Sequence, residues 1–157
     1  MTPEPPDVEM LLGAYPPADP KAALRQIAER LAEFFASTLP TLLHVVAHPD
    51  LGAGRLRKWH AQLPFVPIVR ALGERLRRMG ADGLVARVDA DAAAHTLVGA
   101  VHSIAFLETM MNTHGQRHHA SAKVGAVFEI VWSGLAPSTE RKPKPKRRAP
   151  RSKRRSG

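Results

Sequence analysis

The sequence predicts an all-α fold, a bundle of five or six helices, and three observations carry that reading. Apolar residues recur three and four positions apart in four separate stretches, the spacing that puts them on one helix face. Helix punctuation brackets those stretches, with Asp19-Pro20 ahead of the first, Gly80 and Gly83 after the second and Asp89 or Asp91 ahead of the third. No run of four or more residues alternates apolar and polar between turn signals, so nothing reads as a strand. A length of 157 residues suits one domain, able to bury about two thirds of its unfolded surface. The chain has no cysteine, which excludes disulfides, thiolate zinc sites and a cysteine nucleophile.

Residues 1–19 carry five prolines (3, 5, 6, 16 and 17) and read as a proline-rich N-terminal segment, in which Val8-Glu-Met-Leu-Leu can form a single turn. The helical domain spans 20–137. Its first helix opens at Pro20, with Asp19 able to accept a bond from a free amide, and carries Leu24, Ile27, Leu31, Phe34 or Phe35 and Thr38 on one face. Pro40 is expected to kink or restart it, with Leu42 to His48 continuing it. A short basic helix, residues 55–63, follows the turn at Gly52 and Gly54. Pro64 and Pro67 open the next helix, whose stripe is Phe65, Ile68 or Val69, Leu72, Leu76 and Met79. A long helix from 89 to 111 is apolar over most of its circumference and is therefore expected to be buried on more than one side. A polar break at 112–119 precedes the last helix, 121–135, with Val124, Val127 or Phe128, Val131 and Leu135 on one face.

The formal net charge of +9, from 23 Lys plus Arg against 14 Asp plus Glu, is unevenly placed. Residues 1–140 hold 13 basic and 14 acidic side chains and are close to neutral. Residues 141–157 hold the other ten cations, Arg141, Lys142, Lys144, Lys146, Arg147, Arg148, Arg151, Lys153, Arg154 and Arg155, and no acid. Like-charge repulsion and interspersed prolines predict a disordered basic tail over 138–157. The N-terminus has neither a basic nor an apolar signal region, and no stretch of about 18 apolar residues runs uninterrupted. The expectation is a cytoplasmic protein without a membrane span.

Eight histidines invite a metal reading, with His44 and His48 one helical turn apart and His95 and His102 two turns apart. No carboxylate completes an HExxH pattern, nothing in the sequence brings the pairs together, and no metal or cofactor is assigned. His102 and Ser103 are adjacent, about 100° apart on a helix, and so form no nucleophile–base pair. A nucleophile elbow, a phosphate loop and a paired acidic motif are all missing, and the chain is not read as an enzyme. The aromatic residues and methionines have two readings, plain core or the lining of an apolar pocket. The candidate ligand-binding set is Phe34, Phe35, Trp59, His60, Phe65, Leu72, His102, Phe106 and Met110, with His95 and Ser103 as further polar orienters and Met111 beside them.

The helix from Pro67, PIVRALGERLRRMGADGLV, leads into DADAAAHTLVGAVHSIAFL from Asp89 and closes with VGAVFEIVWSGLAP from Val124. Together these segments resemble the C-terminal half of TetR/AcrR-family transcriptional regulators, most closely in VWSGLAP at 131–137. The resemblance covers about residues 20–137. It implies an effector-binding and dimerisation domain whose last two long helices, 89–111 and 121–135, pair with a second copy as a four-helix bundle. Leu97, Val101, Ile104, Val124, Val127, Phe128, Val131 and Leu135 are then the dimer-interface residues. The expected function is transcription regulation, a homodimer sensing a small, mostly apolar effector. Family members begin with a helix-turn-helix, for which residues 1–19 are too short and too proline-rich. DNA contact therefore rests on the tail alone, and the alternative is a helical dimeric accessory protein that binds nucleic acid nonspecifically through it.

With no aromatic side chain among its cations, the tail can grip phosphates but not stack on bases. If half of its ten charges engage duplex DNA, log K falls by about four to five for each decade of salt. Retention on DNA at low salt should disappear when residues 141–157 are deleted, and unchanged retention would remove the tail from consideration.

Overall fold

The computed structural model describes residues 7–46, 65–111 and 120–137. Among these residues the chain is entirely helical. Its elements are α1 (Val8–Leu12), α2 (Pro20–Val46), α3 (Phe65–Ala81), α4 (Ala90–Met111) and α5 (Ala120–Leu135). The basic helix expected at 55–63, the polar break at 112–119 and the tail lie outside the described residues.

α2 begins where Asp19 Oδ1 accepts the Ala22 amide at 3.0 Å, leaving Pro20 at a position where no amide hydrogen is needed. Leu24, Ile27, Ala28, Leu31, Phe35 and Leu39 follow one another down its buried face. The helix continues through Pro40 to Val46 without a restart, contrary to the expected interruption. Pro40 is exposed, so the missing donor and the ring lie on the solvent side and do not disturb the packed stripe.

Pro67 sits in the first turn of α3, where amide hydrogens have no intrahelical acceptor. Ile68, Val69, Leu72, Leu76 and Met79 form the buried stripe. The helix ends in a paired turn: Leu84 N donates to Met79 O at 2.9 Å and Gly83 N to Gly80 O at 3.3 Å, with Gly83 at φ +74°. That left-handed backbone suits glycine because a Cβ would crowd the chain. The connection to α4 then crosses the end of α5, where Ala86 N donates to Leu135 O at 2.8 Å.

Asp89 caps α4, its Oδ1 accepting the amides of Asp91 at 3.1 Å and Ala92 at 3.0 Å. α4 packs against α2, α3 and α5, but its buried residues, Ala90, Ala94, Leu97, Val98, Val101 and Ala105, share one face. Ala92, His95, Thr96, Ser103 and Leu107 opposite are exposed, so within the chain it is not buried on more than one side, contrary to what its apolarity predicts. Leu97, Val98 and Val101 are completely inaccessible at its centre. By length and composition alone α4 is apolar enough to cross a membrane, although it contains no uninterrupted apolar run. Its approach to α3 is close at Gly73, where a Cβ would stand 2.7 Å from Asp91 Oδ1. That carboxylate accepts two bonds from Arg77, both at 3.1 Å.

α5 turns Val124, Phe128, Trp132 and Leu135 inward. Phe128 and Trp132, one turn apart, stack at 6.4 Å between ring centres. Lys21 bridges from α2 to Glu129 of α5 at 2.8 Å. Residues 7–19 belong to the bundle: Val8, Leu11, Leu12 and Tyr15 pack on the core, and α1 touches both α2 and α3.

Candidate functional site

The buried stripe of α2 ends in aromatic residues, α3 begins with one, and α4 brings His102 and Phe106 one turn apart to the same place. Phe35 meets the His102 ring edge-on at 5.0 Å, and Phe65 meets it at 5.8 Å and 78°. Phe106 stacks along it at 6.3 Å and 20°. Phe34 extends the group behind Phe35 at 5.5 Å. Five members of the candidate ligand-binding set thus come together on three helices, with the imidazole at the centre.

His102 is half-buried and has no hydrogen-bond partner among the described residues. Burial among hydrocarbon rings holds its pKa below the usual imidazole value, because protonation would place a charge in a poorly solvated site. The neutral ring offers one N–H donor and one nitrogen acceptor. An apolar surround with a single bifunctional polar group is the make-up of a small-molecule site, in which hydrophobic area supplies binding and the polar group supplies orientation.

The other members of the set fall elsewhere. Leu72 is fully enclosed in the core and has no surface to give a ligand. Met110 is exposed, one turn beyond Phe106. Trp59 and His60 lie outside the described residues. His95 is exposed, and its Nδ1 pairs with Asp91 O at 2.8 Å, so it orients its own helix and not the aromatic group. Ser103 is exposed on the neighbouring face of α4. A second hollow, about 470 Å³, opens at the other end of α3 between Gly80, Ala86, Arg87 and Pro137, with Arg87 as its only ionisable lining residue.

Of the dimer-interface set, Leu97, Val101, Val124, Phe128 and Leu135 are spent inside one chain, each at most 2% accessible. Their apolar stripes fill the seams around α4, so they have no area left for a second copy. Ile104, Val127 and Val131 are half-buried. The apolar side chains that α4 and α5 do present to solvent are Leu107, Met110, Met111 and Ile130. The tail cations lie outside the described residues.

Sequence reasoning missed the polar group that ties residues 7–19 to the bundle. The Tyr15 hydroxyl donates to Asp82 Oδ2. The Arg78 guanidinium lies 4.1 Å from the centre of the Tyr15 ring, and that of Arg75 lies 5.5 Å from it. That Tyr15 is the chain's one tyrosine was the available signal. Arg75, beside the α3 stripe, reads from sequence as an ordinary solvated cation.

Comparison of the chain with protein-family models, with curated proteins and with solved structures finds no match.

The depressed His102 pKa fixes the sign of a pH effect. The folded chain binds this proton less readily than the unfolded chain, so the stability linked to neutral His102 is present above about pH 6.5 and is lost as pH falls below it. Melting temperatures at pH 7.5 and 5.5 should therefore differ more for the native chain than for His102→Gln. Equal differences would show that the ring titrates as freely as in the unfolded chain.

Proposed function

We propose that the bundle is a small-molecule-sensing, homodimeric regulatory domain of the TetR kind, in which an apolar ligand packs on Phe35, Phe65 and Phe106 and hydrogen-bonds His102. The observation that carries this reading is the convergence of aromatic rings from three helices on an imidazole without a partner among the described residues. A ligand seated there touches α2, α3 and α4 together, so its binding energy depends on how those helices sit. Coupling to a regulated state follows if the two states bind the ligand with different affinity. The closing residues of the resemblance, Val131 to Pro137, form the end of α5 that meets the α3–α4 connection, which joins the regulatory elements mechanically.

The homodimer belongs to the same proposal. Between Ala90 and Met111 the chain carries only Asp91 and Glu108 as charged residues, and α5 carries only Lys123 and Glu129. The outer surface of this pair is therefore poor in charge and displays Leu107 and Ile130, 58% and 72% exposed. Such apolar exposure on a charge-poor face is suited to a like surface. The tail supports a second, separable activity, nonspecific contact with nucleic acid phosphates, because its ten cations face no acid within residues 141–157.

Nile red, a neutral apolar dye with a carbonyl acceptor, tests the aromatic site. Saturable binding at about one dye per chain is expected, with affinity lowered about two- to tenfold in His102→Phe, the value of one hydrogen bond. Absence of saturable binding, or equal affinity in both proteins, would overturn the assignment of His102 as the orienting group. Light scattering tests the assembly: the native chain should show twice the 17.1 kDa mass of a single chain, and Ile130→Glu should halve it while leaving the helical spectrum intact. A single-chain mass for the native protein at every concentration would refute the dimer.

A further inference from the structure

α1 has only five residues, too few to form a stable helix on its own. Both of its ends are capped from outside the helix. Asp7 Oδ1 accepts the amides of Glu9 at 3.0 Å and Met10 at 3.2 Å. The carbonyls at the other end, which no residue of α1 can satisfy, are taken by two arginines of the bundle. Arg30 of α2 donates through Nη1 to Met10 O at 3.1 Å and Leu11 O at 3.4 Å. Arg75 of α3 donates through Nη1 to Leu12 O at 2.8 Å and Ala14 O at 3.1 Å, and through Nη2 to Gly13 O at 2.6 Å. Five successive backbone carbonyls, 10 to 14, are held in this way. The positive guanidinium groups also suit the negative end of a helix dipole.

This grip reads backbone, not side chains, so it accepts any short helix that ends there. No residue of α1 is fully buried and Met10 is 74% exposed, while beyond α1 the Tyr15 hydroxyl donates to Asp82 and its ring lies beside Arg75 and Arg78. Val8, Leu11, Leu12 and Tyr15 are the partly buried apolar anchors. By contrast, the facing helices bury whole stripes against α4, so they do not depend on α1 for their own cohesion.

We propose that residues 7–19 form a releasable strap, and that its opening bares on α2 and α3 an arginine-flanked groove that docks the C-terminal end of a short apolar helix. The occupant is the chain's own α1, seated there in the structure, and a competing segment must bring the same chemistry: two or three apolar side chains and a run of free carbonyls. The groove is distinct from the aromatic site around His102. Its opening therefore proceeds without a ligand in that site.

The test uses the full chain. Hydrogen exchange should show the amides of residues 9–14 exchanging at least about tenfold faster than those of α4, through an opening that leaves α2–α5 protected. Arg75→Gln should accelerate exchange at 9–14 by about tenfold or more, the effect of losing charge-assisted bonds, with little change at the centre of α4. A fluorescent peptide of residues 7–19 should bind a full-length variant whose own strap is weakened, Leu11→Ser/Leu12→Ser, at least about tenfold better than the native chain, and should not bind when Arg75→Gln is added. Exchange of residues 9–14 only together with α4 would overturn the strap as a separate unit. Failure of the peptide to bind the folded strap variant would overturn the groove.

Discussion

The structure depends on one constraint, that the apolar face of the central helix α4 must be covered along its length. Ala94, Leu97, Val98, Val101 and Ala105 follow one another along a single face of α4, and Leu97, Val98 and Val101 are fully inaccessible. α2, α3 and α5 together cover that face, each with one apolar stripe of its own. Small residues make the enclosure tight. Ala90, Ala94 and Ala105 are buried on α4, and Gly73 lets α3 approach until Asp91 stands where a side chain would be. Among the described residues no polar or charged group is fully buried, so the interior is specified by shape. Arg77–Asp91 and Lys21–Glu129 lie at the rim, where exposed pairs add orientation and little stability.

The candidate site is a consequence of where that enclosure ends. Along the buried face of α4 accessibility is nil at Leu97, Val98 and Val101 and slight at Ala105, and it is high at Met110 and Met111 at the helix end. His102 and Phe106 fall within this gradient, on the flank that faces Phe35 and Phe65. An imidazole placed deeper would lose its access to a ligand, and one placed farther out would keep its ordinary pKa. At position 102 it is dry enough to be held neutral and open enough to meet a partner. The stacking of the imidazole along Phe106 and its edge contact with Phe35 fix the ring plane, which gives its nitrogens a defined direction.

Much of this was legible in the residues, for identifiable reasons. Asp19-Pro20, Asp89 and Gly83 mark helix ends through local chemistry, and the stripes of α2, α3 and α5 follow from the helical period. Phe34, Phe35, Phe65, His102 and Phe106 were legible as a set because aromatic residues sat on three helices, although periodicity alone does not show that they meet. What period cannot show is which of two apolar surfaces a helix uses. Val124, Phe128 and Leu135 have the spacing of any buried stripe, whether the partner is a helix of the same chain or of another. Only the packing assigns them to neighbours within the chain, where α5 packs on both α2 and α4. The α1 attachment was hidden for a different reason: Arg30 and Arg75 recognise carbonyls, and every residue has one, so no side-chain pattern in residues 10–14 announces the contact.

The net charge of +9 therefore describes two different uses of cations in one chain. In the bundle, arginines are engaged at short range: Arg25 with Glu29, Arg70 with Glu74, Arg77 with Asp91, Arg30 and Arg75 with carbonyls, Arg78 with the Tyr15 ring. The planar fork suits each of these tasks, since it donates in two directions and also stacks. Six arginines are thereby engaged within or between helices, and where an acid stands beside them their field is cancelled close to its source. In residues 141–157 no acid stands beside the ten cations, so their fields add instead of cancelling. Removing a cation from the bundle consequently alters contacts between helices, whereas removing one from the tail alters what the chain attracts from a distance. Salt acts on both, but a contact at 3.1 Å between oppositely charged side chains is lost with its own pair, whereas a run of like charges loses its reach beyond a Debye length.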